Sequence, residues 1–359
     1  MINEQLAELS NLSLVVAIVL YVLALFGFSA DLASLSQKRS DQRLAAQEAK
    51  DVERVLHGAG VGAGGGITSG AEDAGTTPAS SAAGGSAGTG ERTPGTMTAQ
   101  KFAFLLAGAG TLLHVLGVVA RAAATQRVPW ANMYEFATTS TALVMVAFLL
   151  FSIKRVELRT LGTFVVGPVL LVLLLAQTFW IVPAAALTPS LQNSHWLIIH
   201  IGIAIIATAL SILGAVVAGL QLVQARHERA LVELAEAGEE HPEHWGRAGH
   251  VLDRLPSSTV LESLSFRIHS LAFVCWTFTL IFGAIWAREA WGRFWGWDPK
   301  EVWTFIIWVI YAAYLHARAT GGFRGTRAAW LALAGFVAVV FNYTIVNTGI
   351  NGLHSYSGL

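Results

Sequence analysis

Eight separate windows of about 20 predominantly apolar residues constrain this chain more than any other feature of its sequence. They lie near 12–31, 102–120, 135–153, 161–180, 197–222, 268–287, 302–318 and 328–346. About 20 such residues are needed for a helix to cross roughly 30 Å of hydrocarbon. The chain is 54% hydrophobic and 13% charged, which is about half the charged fraction of a soluble domain. We therefore predict an all-α, polytopic membrane protein with about eight transmembrane helices.

Charge and cysteine content narrow the class of protein further. The formal net charge is zero, so the overall charge gives no sign of a nucleic-acid partner. The one cysteine, Cys275, lies inside an apolar run. A single thiol rules out a disulfide within the chain and a zinc site built from several cysteines, so Cys275 is interpreted as a small packing residue.

The Lys and Arg residues predict how the chain crosses the membrane, because basic residues are retained on the cytoplasmic side. With both termini outside, 18 basic residues lie in the inner connections, among them Lys38, Arg39, Lys154, Arg155, Arg159, Arg226, Arg318 and Arg324. The outer connections hold Arg121, Arg127, Arg288, Arg293 and Lys300. The inverted topology would reverse this ratio, so we predict that both termini and the loop after the sixth window lie on the outer side.

Composition predicts three regions along the chain. Residues 1–31 carry Glu4 and Glu8 but no Lys or Arg, so we expect a retained transmembrane anchor rather than a cleaved signal peptide. Residues 32–100 open with a charged stretch that could form a helix and then become rich in Gly and Ser, which predicts a disordered cytoplasmic linker. Residues 101–359 contain the other seven windows and are predicted to form a seven-helix domain. The long inner linker and the lack of a transit-like start favour a bacterial plasma membrane.

The connection between the sixth and seventh windows is unusually rich in tryptophan. Within the 23 residues of 286–308 it holds Trp286, Trp291, Trp295, Trp297, Trp303 and Trp308. Tryptophan gathers at membrane interfaces in any case, but an aromatic belt explains only one or two at a helix end. Indole rings could cover the faces of a flat apolar ligand while Arg288, Arg293 or Lys300 meets its carboxylates. Haem fits this description, so we predict that the segment, the tryptophan loop, binds it.

Several motifs resemble a known family. WGRFWGWDPKEVW at 291–303 is similar to the tryptophan-rich WWD signature of haem-handling proteins of cytochrome c maturation. Other stretches resemble the CcsA/ResC branch in order: PWANMYE at 129–135, LQNSHWLIIH at 191–200, YLHAR at 314–318 and GLHSYSG at 352–358. The similarity covers roughly residues 102–359. The residues of the loop expected to bind haem are Trp291, Trp295, Trp297, Asp298 and Trp303.

Two histidines lie at the predicted outer face. His200 is about one turn below Trp196 near the outer end of the fifth window, and His354 follows the eighth window on the same side. Two neutral imidazoles on opposite sides of a porphyrin make a six-coordinate haem iron. The resemblance implies that His200 and His354 form this pair.

His316 is predicted to lie near the inner leaflet. It follows Trp303 by 13 residues, which is about 20 Å along a helix, and Arg318 marks the cytoplasmic edge. The resemblance implies that His316 binds a second haem in the membrane, with the opposite ligand supplied by a ResB-like partner.

The remaining histidines are weaker candidates. His114 is either a buried hydrogen-bonded residue or a further ligand, and His195 could contact haem or substrate. His269 is expected to snorkel or to cap a helix on the cytoplasmic side. A solvated surface is expected for the inner-loop histidines His227, His241, His244 and His250. Asn132, Tyr134 and Glu135 either cap the third span or contribute to the outer site.

The resemblance implies a membrane subunit of a cytochrome c synthetase. Such a subunit would move haem b to the outer face and present it for thioether attachment to the CxxCH motif of apocytochrome c. Expected partners are a ResB-like membrane protein, apocytochrome c, a thioredoxin-like protein that reduces thiols, and membrane lipid. No catalytic side chain stands out, although Asp298 or Glu301 could move protons or order the loop. A haem exporter, a b-type electron-transfer cytochrome and a scaffold remain the alternatives.

Overall fold

Apolar runs uninterrupted by charge fold here as long helices. The computed structural model describes residues 2–59, 98–185, 194–238, 251–320 and 323–354, without the side chains of residues 34–59. The helices are α1 (Glu4–Ala59), α2 (Ala99–Thr125), α3 (Met133–Lys154), α4 (Gly162–Phe179), α5 (His195–Ala237), α6 (Ser258–Trp291), α7 (Pro299–Ala319), α8 (Thr326–Tyr343) and α9 (Ile345–Gly349). A 3₁₀ turn, Val156–Leu161, precedes α4. The described residues contain no β-strand.

Eight helical segments of the described chain are long and apolar enough to cross a membrane. They are Glu4–Ala33, Ala99–Thr125, Met133–Lys154, Val156–Phe179, His195–Ala237, Ser258–Trp291, Pro299–Ala319 and Thr326–Gly349. The prediction of an all-α, multi-pass membrane protein is therefore confirmed. Helix α5 has 43 residues, or roughly 64 Å at 1.5 Å per residue, so it extends well beyond a hydrocarbon core of about 30 Å.

The chain divides into two compact units, Met1–Ala33 with Ala99–Leu359, and Ser34–Thr98. In the second unit, α1 continues as a helix to Ala59, over the charged stretch for which a helix was considered. Residues 60–97, which contain most of the predicted disordered linker, lie outside the described residues. The three predicted regions therefore stay predictions.

Small residues let α5 and α6 pack closely at two levels. A Cβ atom on Gly214 of α5 would lie 2.5 Å from Cε1 of His269, and one on Gly283 of α6 would lie 2.7 Å from Cε1 of His200. Both distances are shorter than real contacts allow, so each imidazole fills the space that a glycine leaves on the facing helix. Close packing of small residues is the usual means by which helices associate in membranes. Here it brings two histidines into the interface.

Candidate functional site

A large, mainly apolar cavity lies at one end of the bundle. The start of α5, the end of α6, the start of α7, the end of α8 and the loop before α3 form its walls. It encloses about 1220 Å³, including its open mouth. His200 and His354 both line it, together with Trp286, Trp295 and Lys300. The structure therefore brings the two predicted outer histidines to one cavity.

His200 is held by α6 from two directions. Its Nδ1 lies 3.0 Å from the backbone oxygen of Thr279, and a carbonyl can only accept, so Nδ1 carries the hydrogen. The ring stacks on Trp286 with 6.0 Å between ring centroids and an angle of 12°. In the neutral ring this tautomer leaves the lone pair on Nε2. Metal-binding histidines commonly have their second nitrogen tied to an acceptor in this way.

His354 is oriented by a carboxylate from the tryptophan loop. Its Nδ1 lies 2.8 Å from Oδ2 of Asp298, so the neutral ring again has its lone pair on Nε2. Its ring contacts Trp286 and Trp291 edge-on, with 5.7 Å and 4.8 Å between centroids. Both candidate ligands therefore have an anchored Nδ1 and a contact with the same indole, Trp286.

Trp286 is the residue that sequence reasoning counted but did not single out. It lies in α6 with 1% of its surface exposed, between His200 and His354. Its spacing from other tryptophans carries no sign of this role. The informative signal is distant in sequence, because His200 faces Trp286 only when α5 and α6 pack against each other.

Asp298 acts on His354 from a fixed position at the start of α7. It is 6% exposed, caps α7 by accepting from the backbone N–H of Lys300 at 3.1 Å, and accepts from the backbone N–H of Leu353 at 2.6 Å. Burial alone would raise the pKa of Asp298, but the hydrogen bonds from His354, Leu353 and Lys300 outweigh it and hold this pKa below its ordinary value. The carboxylate is therefore ionised and ties residues 353 and 354 to the loop.

Glu301 orders the tryptophan loop. Its carboxylate accepts from Arg293 at 3.1 Å and from the backbone N–H groups of Gly296 at 2.8 Å and Asp298 at 3.2 Å. Within this turn Trp297 has a φ of 59°, which is unusual for a bulky residue. The two expected roles of Glu301 are proton movement and ordering of the loop, and these contacts support ordering of the loop.

The predicted haem-binding tryptophans separate into two groups. Trp295 lines the cavity, and Trp291 contacts His354. Trp297 is 76% exposed and is not part of the cavity wall. Trp303 packs on Phe341 of α8, with 4.2 Å between ring centroids. The structure therefore leaves Trp297 and Trp303 away from the two histidines.

One of the three basic residues expected to meet carboxylates lies in the cavity wall. Lys300 lines the cavity and donates from Nζ to the backbone oxygen of Asn342 at 2.8 Å. Arg293 pairs with Glu301, and Arg288 donates to the backbone oxygen of Gly292 at 3.3 Å. Lys300 is therefore the cation placed to meet an acidic ligand there.

The loop before α3 supplies the facing wall through Trp130 and Asn132. The Asn132 side chain accepts from the backbone N–H of Glu135 at 2.9 Å and so caps α3, while Glu135 is buried against Arg121 at 3.1 Å and Arg127 at 2.7 Å. The cap formed by Asn132 and the ion pairs of Glu135 support the structural role that was one of the two alternatives for these residues. Asn132 also lines the cavity, so its contribution to the outer site stays a prediction.

His316 lies far from this cavity. It is exposed in the last turn of α7 and follows Lys300 by 16 residues, roughly 24 Å along the helix. Nearby, Arg318 donates to Glu262 at 2.6 Å. The structure therefore separates His316 from the His200 and His354 pair.

Two predictions about other histidines are wrong. His269 does not snorkel or cap, because α6 begins at Ser258 and places it inside the bundle, fully buried between Tyr311 and Tyr314 at 5.3 Å from each ring. His227 is not solvated, because it is buried and its Nε2 lies 2.9 Å from Asp253.

Five other histidines complete this comparison. His114 is fully buried, with Nδ1 3.3 Å from the Tyr21 hydroxyl. This contact supports the first of the two alternatives for His114, a buried hydrogen-bonded residue. His195 is exposed. His241, His244 and His250 lie outside the described residues.

Comparison with known proteins identifies the family. Residues 130–354 match the family described as "Cytochrome C assembly protein", a range that contains His200, the tryptophan loop and His354. Proteins named "Cytochrome c biogenesis protein CcsA" are similar. The one from Guillardia theta is 34% identical over 239 residues, covering 64% of this chain and 77% of the relative.

Two further proteins of that name differ in how much of the chain they match. The relative from Chlamydomonas reinhardtii is 33% identical over 258 residues, covering 70% of this chain and 67% of the relative. The relative from Gloeobacter violaceus is 51% identical over 112 residues, covering 31% and 33%. These matches confirm the resemblance inferred from the tryptophan loop. The chain belongs to the cytochrome c assembly family, and as a multi-pass membrane protein it has a role in cytochrome c maturation.

Proposed function

We propose that this chain holds haem b between His200 and His354 and presents it for covalent attachment to apocytochrome c. One observation carries the proposal: both imidazoles line one cavity and contact Trp286, while each Nδ1 is tied to an acceptor, Thr279 or Asp298. This arrangement orients a Nε2 lone pair on each ring, as axial ligation requires.

The cavity suits the rest of a haem molecule. Its wall is predominantly apolar and aromatic, with Trp286, Trp295 and Phe294 among its members, as expected for a site that encloses a flat apolar ligand. Lys300 provides one cation for a propionate. Trp291 supports His354, while Trp297 is assigned to the rim of the site.

The chemistry asks little of the protein beyond position. Each cysteine thiol of the CxxCH motif adds across a haem vinyl group, so that sulfur bonds to one carbon and hydrogen to the other, and no oxidant is consumed. Holding thiol and vinyl together supplies the proximity that such a reaction needs. The histidine of CxxCH would replace His200 or His354 on the iron before release.

A second haem site at His316 would require a partner. His316 lies exposed on α7, and histidine is scarce in membrane spans unless it has a function. A ResB-like membrane protein would supply the opposite ligand, and a thioredoxin-like protein would keep the apocytochrome thiols reduced. A bacterial plasma membrane is the proposed location, and the distribution of basic residues supports an orientation with the termini, the tryptophan loop and the cavity outside.

The test is covalent attachment of haem to a CxxCH reporter co-expressed with this chain and a ResB-like partner. The pyridine haemochrome spectrum of the reporter is compared for wild type, His200→Ala with His354→Ala, and His195→Ala. His195 is a matched control, because it is exposed at the same end of α5. We expect a thioether spectrum with wild type and His195→Ala, and none with the double variant. Haem bound to the membrane protein without attachment would instead indicate transport or electron transfer.

A further inference from the structure

A second cavity lies at the end of the bundle opposite the two histidines. It is formed where the polar half of α5 meets the start of α6 and the start of α8, and it encloses about 1010 Å³ including its open mouth. Three arginines line it, Arg229, Arg324 and Arg327, together with Glu228 and Glu262. The charges of these five side chains, and the partners they already have, decide which kind of ligand the cavity can bind.

Both carboxylates are occupied by structural contacts. Glu228 accepts from the backbone N–H of Ser258 at 2.9 Å and from the Ser258 hydroxyl, which fixes the start of α6. Glu262 accepts from Arg318 at 2.6 Å and from the backbone N–H of Gly325 at 3.1 Å. Both carboxylates therefore already accept hydrogen bonds from the protein itself.

The arginines line the cavity from α5, from α8 and from the loop just before α8. Arg229 donates from Nε to the backbone oxygen of Ala225 at 3.1 Å and from its terminal nitrogen to the Thr326 hydroxyl at 3.0 Å, so its guanidinium is held at the start of α8. Arg324 and Arg327 are exposed on either side of Thr326. Among the ion pairs of the described chain, none includes these three arginines. The N-terminus of the 18-residue helix α8 adds partial positive charge.

We propose that this cavity, the arginine pocket, binds the phosphate of an anionic phospholipid headgroup. Guanidinium groups match phosphate oxygens in geometry as well as charge, and basic pockets between transmembrane helices commonly take lipid headgroups at the cytoplasmic side. The surroundings favour a lipid over a free anion. Val232 in the pocket wall and Trp330, one turn beyond Arg327, are 56% and 55% exposed, so an acyl chain has apolar surface beside the headgroup.

The test uses the full chain purified in detergent, with lipid retention followed by native mass spectrometry and thermal stability. Phosphatidylglycerol is compared with phosphatidylcholine for wild type and for Arg324→Gln with Arg327→Gln. Lys154→Gln with Arg155→Gln is the matched control, because it removes the same charge from two exposed residues outside the pocket. We expect wild type and control to prefer phosphatidylglycerol by about tenfold or more, and the pocket variant to lose that preference.

Three results would overturn the proposal. One is retention of phosphatidylglycerol by the pocket variant at the wild-type level. Another is an equal loss in the control variant, which would indicate general attraction to basic surface. The third is stabilisation by millimolar inorganic phosphate equal to that by lipid, which would indicate a site for free anions. None of these results would count against the proposed haem attachment, because the haemochrome assay that tests it reports on the opposite end of the bundle.

Discussion

His200 and His269 occupy nearly equivalent places in the fold and differ in what surrounds them. Each fills the space beside a glycine of the facing helix, Gly283 for His200 and Gly214 for His269. Each has its Nδ1 within 3.0 Å of a backbone oxygen, at 3.0 Å for His200 and 2.9 Å for His269. His269, however, is fully buried between two tyrosines, whereas His200 lines a cavity that His354 also lines.

The comparison teaches that an anchored Nδ1 does not by itself make a candidate ligand, because both histidines have one. What distinguishes His200 is that it lines a cavity and that a second imidazole, His354, lines the same cavity. The proposed function therefore depends on the cavity, and the predictions that follow test His200 and His269 side by side.

The largest difference is expected on replacing each histidine. His200→Ala should lower haem retention by more than the 10–100-fold typical of losing a supporting hydrogen bond, because it removes a proposed ligand to iron. His269→Ala should lower thermal stability, because it leaves a hole among Tyr311 and Tyr314, yet it should leave haem bound per folded molecule unchanged. Haem content by haemochrome and melting by fluorescence measure both. Equal haem loss in the two variants would break the distinction.

Asp298→Asn is expected to have the next largest effect. Asparagine also caps helices well, so α7 should still begin at Pro299, but the carboxylate that accepts from His354 is lost. We expect haem affinity to fall by about 10–100-fold with little change in melting temperature. Haem titration of the purified variant checks this. Wild-type affinity would show that Asp298 serves the fold alone.

The two glycines should give a smaller and more selective effect. Gly283→Ala and Gly214→Ala each place a Cβ into an imidazole and should cost about 1–3 kcal/mol of folding free energy. Only Gly283→Ala should also alter the haem absorption spectrum, because it displaces His200. Matching spectra in the two folded variants would count against His200 as a ligand.

The smallest difference is expected between two tryptophans of the loop. Trp295→Ala should reduce haem retention, because Trp295 lines the cavity. Trp297→Ala should change it by no more than about twofold, as for surface residues in general, because Trp297 is 76% exposed. Haem retention after gel filtration distinguishes them. A greater loss with Trp297→Ala would place haem outside the cavity wall.

The bilayer explains why the spans could be predicted. Hydrocarbon thickness sets the length of each apolar window, and all eight windows correspond to helices. The motif around Trp291 to Trp303 likewise identified the family. Windows of hydropathy do not locate helix ends, however. Glu262 and Arg267 lie inside α6, and because these residues are charged, an apolar window leaves out the first turns of the helix. An apolar window that begins at residue 268 therefore places His269 at the end of a helix, whereas α6 places it well inside one.

Contacts between distant residues could not be predicted from spacing. Asp298 meets His354 across 56 positions, and Trp286 meets His200 only through the rotation of α5 against α6. The contact between Nε2 of His227 and Asp253 at 2.9 Å joins two segments on either side of the connection between α5 and α6. Each depends on tertiary packing that one sequence does not encode in a local pattern.

The most direct test of the account is the coordination of haem in the purified chain. Optical and electron paramagnetic resonance spectra are recorded for wild type, His200→Gly and His354→Gly, each with and without imidazole. The account predicts low-spin iron with two histidine ligands in wild type, high-spin iron in either single variant, and return of the low-spin spectrum with added imidazole. A low-spin spectrum that persists in both variants without imidazole would contradict it.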